Sequence, residues 1–98
     1  MKIPKSLQGV LWSKDVFSLD AQKDKSYIVH QILMYGNFED IRWLFKTYPE
    51  DEIKKVFIKN PRKVYTKEAF HYIKDYVLGL EPQKLPKDDY VNTFYSRS

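Results

Sequence analysis

Helix stop and start signals recur through the middle of this chain and limit what it can fold into more than any other feature. Gly36-Asn37, Tyr48-Pro49, Asn60-Pro61, Thr66 and Gly79 stand between stretches of helical periodicity. Glycine at a helix end can take the left-handed backbone that closes the last turn. Proline has no N–H to donate and drives the residue before it out of the helical region. The segments between these signals are too short to be stable alone, so each must bury its apolar stripe on a neighbour. The pattern predicts an all-α fold, a compact bundle of about four short helices joined by tight turns.

The first helix is expected from about Lys25 to Tyr35, capped by Asp24 or Ser26. Ile28, Ile32 and Tyr35 form one row on it, with Val29 and Leu33 beside them. Gly36 ends it in the left-handed conformation. Asn37 caps a second helix, Phe38 to Tyr48, whose apolar face is Phe38, Ile41, Leu44, Phe45 and Tyr48. Pro49 suits the first position of a third helix. That helix opens on Glu50, Asp51 and Glu52, carries Lys54, Lys55 and Lys59 later, and turns Ile53, Val56 and Phe57 inward. Thr66 caps a fourth, about Lys67 to Leu78, with Phe70, Ile73, Val77 and Leu80 as its buried row. The second half is helix-turn-helix-like. One helical domain is expected over residues 1–80. Residues 1–23 lack a period and make an irregular N-terminal arm held down by Trp12 and Phe17. Residues 81–98 form a tail, rich in proline and charge, with an aromatic end.

A chain of 98 residues has room for one modest core. Hydrophobic residues at 43% and charged residues at 31% exclude a disordered chain or a fibre. The net charge of +4 gives weak attraction to polyanions and proves no partner. With no cysteine there is no thiolate nucleophile, disulfide or cysteine-ligated metal, which fits a cytoplasmic location. The stretch from Tyr27 to Tyr35, interrupted by His30 and Gln31, is too short to span a bilayer, and no signal peptide is expected.

Aromatic residues are unusually frequent: eight Tyr, six Phe and two Trp. Most belong in the core, so the informative ones are those the core cannot take. On the second helix Trp43 lies opposite the centre of Phe38, Ile41, Phe45 and Tyr48, at 100° per residue. Either an arm of the chain covers it or it anchors a partner. The same choice holds for the tail, where Tyr90, Val91, Phe94 and Tyr95 either pack back or dock on another chain. The candidate protein-interface residues are thus Trp12, Trp43, Tyr90, Phe94 and Tyr95.

A second candidate is the basic stretch Lys54, Lys55, Lys59, Arg62, Lys63 and Lys67, which contains no acid. Placed on phosphates, it would serve a DNA-binding regulator. A solvated charged face explains it more simply. His71 and Asp75 share a helix face at a spacing that permits contact, but no nucleophile or third ligand accompanies them. His30 reads as a packed or surface histidine. The three glycines are isolated, so there is no phosphate-cradling loop. No catalytic, cofactor-binding or metal-binding residue is expected, and no enzyme.

One set of residues carries a resemblance: Leu11-Trp12-Ser13, Tyr27-Ile28-Val29 through Tyr35-Gly36, Asp40-Ile41-Arg42-Trp43-Leu44 with Tyr48, and Glu52-Ile53 through Asn60-Pro61-Arg62. Over about residues 10–75 the chain resembles a family of short uncharacterised prokaryotic proteins often encoded beside nucleotidyltransferase-type toxins. The resemblance implies an antitoxin-like binding role and supplies no catalytic residues. The expected function is a small non-enzymatic protein–protein interaction module with a toxin as a possible partner. The alternative is a helix-turn-helix-like DNA-binding regulator using residues 54–67. No membrane partner is expected.

Overall fold

The computed structural model describes residues 3–80 and 85–92. Four helices form where the signals place them: α1 Lys25–Tyr35, α2 Phe38–Thr47, α3 Glu50–Lys59 and α4 Lys67–Tyr72. The caps follow the chemistry. Asn37 Oδ1 accepts from Asp40 N–H while the Asp40 carboxylate accepts from Asn37 N–H, a reciprocal capping box. Thr66 Oγ1 accepts from Ala69 N–H. Pro49 sits at the N-cap of α3, one position before the place expected. Asp24 occupies the N-cap of α1, yet its carboxylate accepts from Asp20 N–H in the arm instead.

Helix α1 is the centre of the fold. Every residue from Tyr27 to Leu33 is buried, and α2 and α3 pack against it. A helix enclosed all round must satisfy its polar side chains internally. Gln31 does so by donating to the Val10 carbonyl at 2.9 Å. His30 does so through both ring nitrogens, as described below.

The turn between α1 and α2 needs glycine for a different reason from the one expected. Gly36 has φ −72°, an ordinary backbone. A Cβ there would stand 2.6 Å from the Ile32 carbonyl oxygen and 2.9 Å from Asp40 Cβ. The requirement is close approach. Gly36→Ala is expected to cost about 1–3 kcal/mol, read as a lower denaturant midpoint at unchanged slope. Gly79, by contrast, has φ +64° and ends the fourth helical segment as expected, with Leu80 N–H donating back to the Lys74 carbonyl.

Helix α4 does not run regularly to Leu78. After Tyr72 it widens into a π-helical segment, Ile73–Val77, and Leu78 N–H donates to Ile73 O five residues back. One extra residue in the turn moves the next inward position along by one. Leu78 is therefore buried where regular periodicity placed Val77, which is only partly buried.

The arm contains two short 3₁₀ turns, Lys5–Leu7 and Val16–Ser18. Ile3, Leu7, Leu11, Val16 and Ala21 hold it down, whereas Trp12 and Phe17 are exposed. Gln8 organises it, donating to the carbonyls of Leu11 and Lys14 and accepting from Val16 N–H.

Tyr90 and Val91 of the tail belong to the core, whereas Pro86, Lys87, Asp88 and Asp89 are exposed. Tyr65 and Val91 form an isolated parallel bridge, in which Tyr65 N–H donates to Tyr90 O and Asn92 N–H donates to Tyr65 O. Tyr90 is buried, with ring centroids 4.8 Å from Phe57 and 4.9 Å from Phe70. His30, Phe57, Tyr65, Phe70 and Tyr90 make one aromatic cluster that joins α1, α3, α4 and the tail. No helix among the described residues is long and apolar enough to cross a membrane.

Candidate functional site

The five candidate interface residues separate. Tyr90 is a core residue and cannot be an anchor in the folded domain. Trp43 is partly buried and packs against the core, so it is not a free anchor either. Phe94 and Tyr95 lie outside the described residues. Trp12 remains, 55% exposed.

Trp12 is not isolated. Its ring meets Tyr35 edge-on, centroids 4.5 Å apart at 70°. Phe38 follows three residues later across the α1–α2 turn, which puts its Cα within roughly 11 Å of Tyr35's, and it is 74% exposed. Periodicity assigned Phe38 to the apolar face of α2. Burial along that face instead grows from Phe38, exposed, through Ile41, partly buried, to Leu44 and Tyr48, fully buried. The first turn of α2 thus leaves the core, and Phe38 leaves with it. Trp12, edge-on against Tyr35, and the exposed Phe38 are aromatic side chains that the arm and the α1–α2 turn leave outside the core.

The support under Trp12 is firm. Ser13, next to Trp12, donates through its N–H and its Oγ to Tyr27 Oη at 3.2 and 2.8 Å. A second exposed aromatic pair, Tyr72 and Tyr76, lies on the widened end of α4 with ring centroids 5.9 Å apart. Sequence reasoning missed Phe38, Tyr72 and Tyr76. The i, i+4 spacing of Tyr72 and Tyr76 was the available signal for the last two.

The basic stretch is on the surface. Lys54 pairs with Glu50 at 2.8 Å. Lys55, Lys59, Arg62, Lys63 and Lys67 are exposed. The expected His71–Asp75 contact does not form; Asp75 accepts from Lys74 Nζ at 2.7 Å. Among the described residues no group of three metal-ligating side chains comes together.

His30 is fully buried. Its Nε2 lies 2.7 Å from the Asn60 carbonyl oxygen and its Nδ1 lies 2.6 Å from Tyr65 Oη. A carbonyl only accepts, so Nε2 carries the proton, and Nδ1 of the neutral ring accepts from the Tyr65 hydroxyl. Burial pushes the imidazole down to about 4, with Arg62 adding to the effect against the Asn60 hydrogen bond. Burial also raises the Tyr65 hydroxyl well above its ordinary range. Both groups hold fixed protonation states near neutral pH, and their polar atoms are already engaged with one another and with Asn60. They are structural. A shallow cleft of about 250 Å³ lies between the arm and α2, lined by Leu19, Asp20, Gln22 and Thr47 among others. Its Tyr48 hydroxyl is already spent on the Ala21 carbonyl.

Residues 7–57 match the model of a family of unknown function, DUF6922. The chain belongs to this family. No curated protein and no solved structure matches it. The matched segment takes in Trp12, Tyr35, Phe38 and Trp43, and it ends before Arg62, Lys63 and the tail. The DUF6922 segment therefore contains Trp12, Tyr35 and Phe38 and only part of the basic stretch.

Proposed function

We propose that this DUF6922 member is a small, non-enzymatic, cytoplasmic protein–protein interaction module whose anchors are Trp12, Tyr35 and Phe38. The observation that carries the reading is that Trp12, seated on the half-buried Tyr35, and Phe38 are exposed on a supported backbone. Large aromatic side chains concentrate binding energy at interfaces. A backbone already held in place loses little entropy on binding. The more specific form of the reading, resting on the resemblance set out above, is an antitoxin-like partner that occludes a toxin.

A nuclease-treated pull-down from the native host, comparing wild type with Trp12→Ala/Phe38→Ala, tests it. One protein held stoichiometrically by the wild type and lost by the double variant is the expected result. Equal recovery by both baits would refute the assignment of these anchors.

A further inference from the structure

The basic stretch carries a second inference, independent of the aromatic anchors. Lys55, Lys59, Arg62, Lys63 and Lys67 make no ion pair with any described residue. Two acids of the neighbouring turn are already engaged, Glu50 by Lys54 and Glu52 by Lys25. No acid lies between Lys54 and Lys67. The connection that displays Arg62 and Lys63 is held from beneath at both ends. Asn60 O accepts a hydrogen bond from His30 Nε2–H, and the Tyr65 hydroxyl donates one to Nδ1 of the same ring. Tyr65 is also fixed to the tail through both its backbone groups, and Val64 N–H closes a tight turn onto Arg62 O. Lys14 of the arm lies beside them, itself paired with Asp24 at 3.6 Å: Lys14 Nζ and the Arg62 guanidinium lie 5.1 and 5.5 Å from the same Tyr27 ring.

We propose that this ridge binds the phosphate backbone of a nucleic acid without reading its sequence. The cations are spread over α3, the connection and α4 and do not converge on one pocket. Exposed apolar side chains are nearly absent among them, whereas protein interfaces are depleted in charge at their centres. Nucleic-acid interfaces are polar and strongly positive. Base reading by α4 does not fit, because Glu68 lies exposed in its first turn and the helix changes to π geometry after Tyr72.

Fluorescence anisotropy on labelled duplex DNA, single-stranded DNA and duplex RNA of one length, each across a salt series, tests this and separates the sources of the phosphodiester. If all five exposed cations sit on phosphates, log K falls against log salt with a slope of roughly −4.5 on duplex DNA. Lys59→Gln/Lys63→Gln touches no described partner and should keep the wild-type thermal midpoint while flattening that slope by about 2. Binding of none of the three nucleic acids, or a slope unchanged in the variant, would overturn the proposal. So would equally tight binding to poly-glutamate, which would reassign the ridge to an acidic protein, or to phosphatidylserine vesicles, which would reassign it to a membrane surface.

Discussion

Tyr90→Ala should destabilise the domain by about 3–5 kcal/mol, the range for removing a large buried aromatic ring. Folding free energies of small domains are about 5–15 kcal/mol, so this is a large share of the total. At about 4–8 °C per kcal/mol for a domain of this size, the thermal midpoint should fall by the order of 20 °C. The reason lies in three partners. The ring packs on Phe57 and Phe70. Its hydroxyl donates to the Phe57 carbonyl at 2.6 Å. That carbonyl has no helical donor of its own, because the residue four positions on is Pro61. Tyr90→Phe keeps the ring and abandons the carbonyl, so it should cost about 1–3 kcal/mol. Chemical denaturation followed by circular dichroism measures both. A Tyr90→Ala protein within about 0.5 kcal/mol of wild type, as for an ordinary surface change, would show that the tail is not part of the core.

Lowering the pH should unfold the protein through His30. The ring is neutral in the fold, with a value near 4 against 6.5 for a free histidine. Between those values the unfolded chain binds a proton that the folded one excludes, so stability rises with pH across this window. The full contribution is present above about pH 6.5, is lost as pH falls, and is exhausted near 4, amounting to about 3 kcal/mol. Protonation of Nδ1 would set a second donor against the Tyr65 hydroxyl in a closed site beside the positive Arg62. In His30→Gln the amide can still donate and accept, and nothing titrates at that position. Its stability, lower at neutral pH, should therefore fall less steeply between pH 6.5 and 4, and the difference between the two curves isolates His30 from the carboxylates. Parallel curves would contradict the assignment.

These two residues also show where sequence reading stops. Helix positions were legible because capping and chain breaking act over a few residues: Asn37 and Thr66 cap, and Gly79 stops, on local geometry alone. The partners of Tyr90 and His30 are distant in the chain, and local periodicity carries no information about them. His30 and Gln31 made α1 look partly polar, although it is the most enclosed helix. The π segment after Tyr72 shifts burial from Val77 to Leu78, which a fixed angle per residue cannot anticipate. At the candidate site, Trp12 could be named from its size and its irregular surroundings. The Tyr35 ring beneath it, the departure of Phe38 from the core, and the meeting of Lys14 with Arg62 over Tyr27 depend on tertiary packing.

The anchoring role of Trp12, Tyr35 and Phe38 is the central claim, and calorimetric titration of the captured partner against purified wild type and Trp12→Ala tests it most directly. The account predicts a negative heat-capacity change for the wild type, the mark of apolar burial. It also predicts a loss of about 2 kcal/mol or more in Trp12→Ala, roughly thirtyfold in Kd, at an unchanged thermal midpoint. An unchanged Kd in a folded Trp12→Ala protein would place the interface elsewhere and contradict it.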